Sequence, residues 1–169
     1  MSGADRFTFL GREFLTWLWF EAERNAGRVA VGDVSYGVEF AQKLVLESGG
    51  TLREGSTVQA EAPAQAEEAR TALRVGKKVA RARLVLSLGE RQFFFNLDAE
   101  TMAISNAKLP TELGVRDAAG LDERVALLGQ LEAAVDGLYV AFVRMRCQEG
   151  TWGPVRDAMR IWVATPAET

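Results

Sequence analysis

The chain has 169 residues, a formal net charge of -3 at neutral pH, and a composition that is 48% hydrophobic and 25% charged. That length predicts one domain with its own hydrophobic core, and the composition excludes a disordered chain, a collagen-like repeat and a membrane bundle. Histidine is absent and Cys147 is the single cysteine, which excludes Ser-His and Cys-His nucleophile pairs, imidazole metal sites and an internal disulfide. The sequence therefore predicts no metal and no cofactor.

The N-terminal third of the chain predicts one buried helix followed by strands. Residues 12–24 are apolar on nearly every side of a helix, which favours burial between a sheet and a partner element. From Val34 the hydrophobic period changes to two, and we expect two antiparallel strands at 34–40 and 43–47. The alternation at 57–62 predicts a third strand.

The middle of the chain predicts a short helix and a hairpin. Pro63 is typical of a helix start, and Gly76 is typical of a helix end. Residues 77–88 alternate strictly, and after a Gly-Glu turn signal residues 91–97 return as a second strand. The first strand is predicted to have Ala80, Ala82, Leu84, Leu86 and Leu88 on one face and Val79, Arg81, Arg83, Val85 and Ser87 on the other.

The C-terminal part predicts a short strand at 102–105, a loop at 113–120 and two helices. Residues 121–146 form the longest helix candidate because apolar side chains recur at steps of three and four. The recurring positions are Leu121, Val125, Leu128, Leu131, Val135, Leu138, Phe142 and Met145. This stripe either packs on the sheet of its own chain or pairs with the same helix of another copy, and the need to cover the sheet favours the first. A last short helix is expected at 154–164.

Together these elements predict a single α+β domain over residues 1–164, with 165–169 as a frayed tail. An antiparallel sheet would be packed by the Trp-rich N-terminal helix and the long C-terminal helix. The N-terminus lacks the basic-then-apolar order of a secretory signal, and the apolar stretch 14–20 is too short to span a bilayer. We therefore expect a cytoplasmic protein without a membrane partner.

Six cations with no acid between them form the most localised charge feature of the sequence. They are Arg70, Arg74, Lys77, Lys78, Arg81 and Arg83. Such a cluster is typical of an edge that contacts nucleic-acid phosphates. It is also typical of a solvated edge that resists association between sheets.

Other groups give weaker functional signals. The acids include three near pairs, which are Glu21 with Glu23, Glu67 with Glu68, and Asp98 with Glu100. No lysine follows an acid at a spacing of two, so the common metal-nuclease pattern is absent, and we interpret these acids as solvated surface groups. We expect Trp17, Trp19 and Phe20 in the core rather than stacked on bases, and Cys147 as a partly buried hydrophobe. The residues favour a protein that is not an enzyme.

Four strings of the chain resemble a known family when they are taken in order. They are Leu10-Gly11-Arg12-Glu13-Phe14-Leu15-Thr16-Trp17-Leu18-Trp19-Phe20, then Glu68-Ala69-Arg70-Thr71-Ala72-Leu73-Arg74-Val75-Gly76-Lys77-Lys78-Val79, then Ala82-Arg83-Leu84, and Lys108-Leu109-Pro110. Together they resemble the C-terminal half of bacterial RdgC-like recombination-associated proteins, especially the divergent forms. The likeness runs from about Leu10 to Trp152.

The resemblance implies a non-catalytic protein that binds duplex DNA with little sequence preference. It also implies ring-shaped dimers that restrain RecA-type recombination, with Arg74, Lys77 and Lys78 as the positions expected to face DNA. The family's dimers imply a homo-oligomer, and because only the C-terminal half of the family is matched, we expect a partner protein that supplies the N-terminal half. The alternative is a structural or scaffolding protein with no nucleic-acid role that self-assembles through apolar helices or exposed strand edges. The acidic net charge and the missing half of the family favour it.

Overall fold

The computed structural model describes residues 8–49, 54–59, 67–112 and 117–166. Within these ranges, helices and groups of strands follow one another along the chain, and the last two elements are helices. The elements are α1 Thr8–Arg24, β1 Arg28–Val31, β2 Val34–Glu47, β3 Gly55–Gln59, α2 Glu67–Arg74, β4 Lys78–Leu88, β5 Arg91–Asp98, β6 Ile104–Lys108, α3 Ala118–Cys147 and α4 Trp152–Ala164.

The strands form one antiparallel sheet in the order β1-β2-β4-β5-β6, and β3 pairs with the second half of β2. The apolar side chains of one face, which include Phe40, Leu84 and Phe95, are at most 4% exposed and belong to the core with the helices. The opposite face carries polar and charged side chains, among them Arg81, Arg83 and Asn96, together with the apolar Val45, Val85 and Phe94. The predicted fold class is confirmed, because an antiparallel sheet is packed by an apolar N-terminal helix and a long C-terminal helix.

The first part of the sheet differs from the sequence prediction. Two strands were expected at 34–40 and 43–47, and this is wrong, because β2 is one strand of 14 residues. Its hairpin partner is β1, which pairs Val31 with Val34. The interruption in the alternation is a β-bulge at Gln42, whose φ of +60° lies in the left-handed region, and not a turn between two strands.

The hairpin of β4 and β5 is confirmed, but one side chain of β4 faces the other way. Val79 was predicted on the face opposite to Ala82 and Leu84, yet it is fully buried in the core with them and pairs with Leu46. The register shifts between Val45 and Leu46, so Ala80 is an extra residue on β4 that moves Val79 into the core. The Val79 N–H donates to the Thr16 hydroxyl of α1 over 3.1 Å, which ties the strand to the helix at this point.

The prediction of a buried first helix is confirmed. All the apolar side chains from Phe14 to Phe20 are at most 7% exposed. Phe14 packs on Phe142 of α3 with ring centroids 5.8 Å apart, and Trp19 meets Trp162 of α4 edge to face at 5.2 Å. α1 therefore lies between the sheet on one side and the two C-terminal helices on the other.

The long helix α3 begins at Ala118, inside the segment that was expected to be a loop. Its second half packs as predicted, with Leu131, Leu138 and Phe142 at most 2% exposed. The first three positions of the predicted stripe are exposed instead: Leu121, Val125 and Leu128 are 60%, 62% and 38% exposed. A helix has 3.6 residues per turn, so a stripe spaced near 3.5 drifts off the packed side over this length.

Among the described residues, α3 is also the one helix that is long and apolar enough to cross a membrane by length and composition alone. Its most apolar 18-residue window has a mean hydropathy of 1.4, and 33% of that window is buried inside the protein. The core helix of a soluble protein satisfies the same criterion.

Several smaller predictions have mixed outcomes. β6 and α4 are confirmed with shifted bounds, and β3 begins two residues before the expected third strand. Residues 60–62, Pro63, 113–116 and 167–169 lie outside the described residues. Cys147 is exposed rather than partly buried, because it is the last residue of α3 and faces solvent.

Two glycines in helices offer a matched test of this packing. A Cβ on Gly11 would lie 1.6 Å from the Ala99 carbonyl oxygen, whereas a Cβ on Gly129 meets nothing within 4 Å. We expect Gly11→Ala to cost about 3 kcal/mol or more, because α1 would be pushed off the sheet. Gly129→Ala should instead stabilise by up to about 1 kcal/mol through helix propensity. Urea unfolding of both variants checks the pair, and similar effects would contradict the close approach of α1 to Ala99.

Candidate functional site

The six cations of the sequence cluster occupy three different places in the structure. Arg70 is buried, and Arg74, Lys77 and Lys78 line a cleft on the helical side of the protein. Arg81 and Arg83 lie on the uncovered face of the sheet. The single edge expected from the sequence is therefore not present as one surface.

Arg70 does not lie at the surface, since it is only 2% exposed. Its guanidinium carbon stands 3.9 Å above the ring centre of Trp162, Nη1 donates to the Trp162 carbonyl over 2.9 Å, and Nη2 pairs with Glu23. The pKa of Arg70 is lowered from its ordinary value, chiefly because burial penalises the charged form, and the charge of Glu23 opposes that shift. This arginine holds α4 against α1 and α2 and is not available to a ligand.

A basic cleft of about 670 Å³ opens where α1, the α2–β4 turn, the end of α3 and one side of α4 meet. We call it the basic cleft. Its cations are Arg74, Lys77, Lys78, Arg146, Arg156 and Arg160. Its apolar lining is Leu73, Trp152, Met159 and Val163. Glu13 is the carboxylate that lines it.

The end of α2 explains how the two lysines reach the cleft. The Lys77 N–H donates to the Ala72 carbonyl over 3.0 Å and the Gly76 N–H to the Leu73 carbonyl over 2.9 Å, which is a Schellman motif. Gly76 takes a φ of +87°, a conformation that glycine adopts without steric cost. The turn ends α2 sharply and places Lys77 and Lys78 next to each other at the rim of the cleft.

Ion pairs fix part of the cleft and leave part of its charge uncompensated. Glu13 accepts from Lys78 over 3.2 Å and from Arg146 over 2.9 Å, so one carboxylate serves two cations. Arg146 also stacks over Trp152, with its guanidinium carbon 4.7 Å from the ring centre. Lys77 donates to a neutral acceptor, the Ser56 hydroxyl, over 2.7 Å.

The remaining cations of the cleft come from α2 and α4. Arg74 pairs with Glu67 at 2.5 Å and donates to the Val163 carbonyl at 3.1 Å. Arg156 and Arg160 share Asp157 at 3.3 and 3.7 Å, and the Arg160 side chain is 72% exposed. Among the described residues, the six cations of the cleft thus have three carboxylate partners, an excess of three positive charges in a chain whose total charge is -3.

The near pairs of acids act mainly as ion-pair partners, which the sequence analysis did not predict. The pairs in the structure are Glu23 with Arg70, Glu67 with Arg74, Asp98 with Arg81, and Glu100 with Arg12. No group of three or more acid or cysteine side chains within the described ranges could hold a metal ion.

Three of the six cations that line the cleft were not predicted from the sequence. Arg146, Arg156 and Arg160 lie about seventy or more residues beyond the lysines in the chain, so a search for clustered charge along the sequence does not join them. The spacing of Arg156 and Arg160 was an available signal, because residues four apart share one face of a helix. Nothing in the local sequence pairs that face with the turn at Gly76.

Comparison of the chain with protein-family models and with curated proteins finds no match. The resemblance to RdgC-like proteins stays a prediction that rests on the four strings quoted above.

The role of Arg70 can be tested by removing its charge while keeping its volume. Arg70→Met is expected to lower the free energy of unfolding by about 2 kcal/mol, the usual loss for hydrogen bonds to a charged group. Arg156→Met is the control, because that side chain is 49% exposed and its loss should change stability by less than about 0.5 kcal/mol. Urea unfolding measures both, and equal effects would contradict the structural role of Arg70.

Proposed function

We propose that this protein is a non-catalytic DNA-associated module that binds the phosphate backbone of duplex DNA without sequence specificity through the basic cleft. The observation that carries the proposal is the excess of three positive charges around an open cleft in an acidic protein. A local field of this kind attracts a polyanion in spite of the net charge of the chain.

The chemistry of the cleft supports backbone contact rather than base recognition. Its polar lining consists of cations, one carboxylate and the Thr16 hydroxyl, with no asparagine or glutamine among the described lining residues. Contacts to phosphates fix position and carry no sequence information. The long side chains of Lys77 and Arg160 can follow a phosphate strand without a fixed register.

The resemblance to RdgC-like proteins supports the same proposal. Arg74, Lys77 and Lys78, which the resemblance expects to face DNA, are cleft residues. Arg81 and Arg83, which were expected on the same edge, lie on the other side of the sheet and are not part of this surface.

A second candidate function is self-assembly, and the exposed start of α3 favours it. Leu121, Val125 and Leu128 are all at least 38% exposed on one helix, although they are large and apolar. Apolar groups grouped in this way are typical of a contact surface. A structural or scaffolding protein could therefore be built from the same fold without nucleic acid.

Size-exclusion chromatography with light scattering, alone and with a short duplex DNA at low and moderate salt, separates the two functions. We expect a DNA complex that is lost as salt rises, because counterion release makes phosphate binding strongly salt-dependent. An assembly whose size is changed neither by DNA nor by salt would favour the structural function, since salt does not screen apolar contacts. DNA recovered from the complex in Mg²⁺ or Mn²⁺ should be uncut, and cleavage would contradict a non-catalytic role.

Charge reversal at two rim positions tests the cleft directly. Lys77→Glu with Arg160→Glu should weaken duplex binding and flatten the slope of log affinity against log salt by about 2, as expected for two lost phosphate contacts. Lys78 is left unchanged, because a glutamate there would face Glu13.

The matched control carries the same charge change away from the cleft. Arg28→Glu with Arg91→Glu alters two exposed cations, on β1 and at the start of β5, that do not line the cleft. Fluorescence anisotropy with a labelled duplex measures all three proteins, and thermal unfolding confirms that they are folded. Equal loss of affinity in both doubles would mean that net charge, and not the cleft, governs binding.

A further inference from the structure

A second cavity lies on the uncovered face of the sheet and shares no residue with the basic cleft. Its volume is about 320 Å³, and its floor is formed by the central strands β2, β4 and β5. The polar side chains around it are Lys43, Arg81, Arg83, Asn96, Asp98 and Ser105. We call it the sheet cavity.

Arg83 lies between two irregularities of the sheet. On one side, Phe40 pairs with Leu84 and Leu44 with Ala82, so residues 41–43 of β2 stand opposite Arg83 alone. On the other side, the pairing of β5 with β6 shifts between Phe94 and Asn96. Bulges of this kind re-aim side chains and are over-represented next to binding sites.

Both irregularities contain a residue in the left-handed region that is not glycine. They are Gln42 with a φ of +60° and Asn106 with a φ of +50°. The Asn106 carbonyl accepts from Nη1 of Arg83 over 2.8 Å, so the second bulge positions the guanidinium directly. Such backbone strain persists only where the surrounding structure enforces it, and it clusters at ligand clamps.

The charges of the sheet cavity are unevenly compensated. Arg81 pairs with Asp98 at 3.0 Å. Burial alone would raise the pKa of Asp98, but hydrogen bonds from Thr101 and Glu100 and the charge of Arg81 outweigh it, so the pKa lies below its ordinary value. Asp98 is therefore ionised at neutral pH and neutralises Arg81.

Lys43 and Arg83 have no such partner within the described part of the chain. The hydrogen bonds of Arg83 go to neutral oxygens, Asn96 Oδ1 at 3.3 Å and the Asn106 carbonyl, and both use Nη1. The edge formed by Nε and Nη2 is left for a ligand, and Lys43 is exposed on the neighbouring strand. Like charges on adjacent strands repel, and an anion between them removes that cost.

We propose that the sheet cavity binds a doubly charged oxyanion of the phosphate class, either free phosphate or the terminal phosphate of a small molecule. The fork of Arg83 and the ammonium of Lys43 supply two positive charges, which match a dianion better than the single charge of a DNA phosphodiester. Asn96 uses Oδ1 for Arg83, so its amide nitrogen remains to donate to the ligand, as does the Ser105 hydroxyl. This site is independent of the basic cleft and of its proposed DNA ligand.

Isothermal titration of the full chain with inorganic phosphate tests the proposal, at constant ionic strength and about pH 7.5, above the second pKa of a phosphate group of about 6. We expect saturable binding at one site. Lys43→Gln should weaken it about tenfold, as for the loss of one charge-assisted hydrogen bond. Arg83→Lys should weaken it as well, because a lysine cannot present a two-pronged fork.

The source of the phosphate is distinguished by titrating adenosine monophosphate beside inorganic phosphate. Tighter binding of the nucleotide would identify a terminal phosphate as the ligand, and equal binding would identify the free anion. Both results support the phosphate class, whereas succinate binding as tightly as phosphate would overturn it.

The cleft variant Lys77→Glu with Arg160→Glu is the control, and it should bind phosphate as the unchanged protein does. Loss of binding in that variant but not in Lys43→Gln would overturn the proposal, as would the absence of saturable binding. Lys43 is exposed and makes no described ion pair, so Lys43→Gln is expected to unfold at the temperature of the unchanged protein. Lys43→Gln therefore tests the proposal even if Arg83→Lys destabilises the pairing of β6 with the sheet.

Discussion

The structure depends on the need to cover α1 on every side. The central residues of this helix are apolar around nearly its whole circumference, so the sheet alone cannot remove them from water. At Gly11 the helix backbone approaches Ala99 closely, which leaves α3 and α4 to cover the opposite side. Trp162, stacked on Arg70, holds α4 in place although no residue of α4 is fully buried. The basic cleft is the gap left where these covering helices meet the start of β4.

The same packing explains why cations collect at that gap. Four cations of the cleft come from the end of α2, the start of β4 and the end of α3, and two come from the middle of α4, and the long charged side chains of all six can reach solvent. Glu13, on α1 itself, ties Lys78 of β4 and Arg146 of α3 to the helix. Because one carboxylate pairs with two cations, the basic cleft keeps a net positive charge, and this charge would attract a polyanion.

Periodicity predicted the parts of the fold in which burial follows sequence spacing. The apolar run of α1, the hairpin of β4 and β5 and the packed half of α3 all belong to that class. The bulge at Gln42 could not be predicted. A polar residue that interrupts an alternating hydrophobic pattern fits either a β-bulge or a short turn, and no sequence rule distinguishes the two. The cleft was half predictable: the lysines follow from a helix end at Gly76, whereas Arg146 depends on the tertiary path of α3.

The cation cluster is divided where the chain passes from the helix end into the sheet. Lys77 and Lys78 lie where Gly76 ends α2 and β4 begins, and both line the basic cleft. Arg81 and Arg83 lie farther along β4, where side chains alternate between faces, and both line the open side of the sheet. A run of charge that looks continuous in the sequence thus becomes two surfaces with the sheet between them. An anion in one of them leaves the other accessible, so the two sites can be occupied together and by ligands of different size.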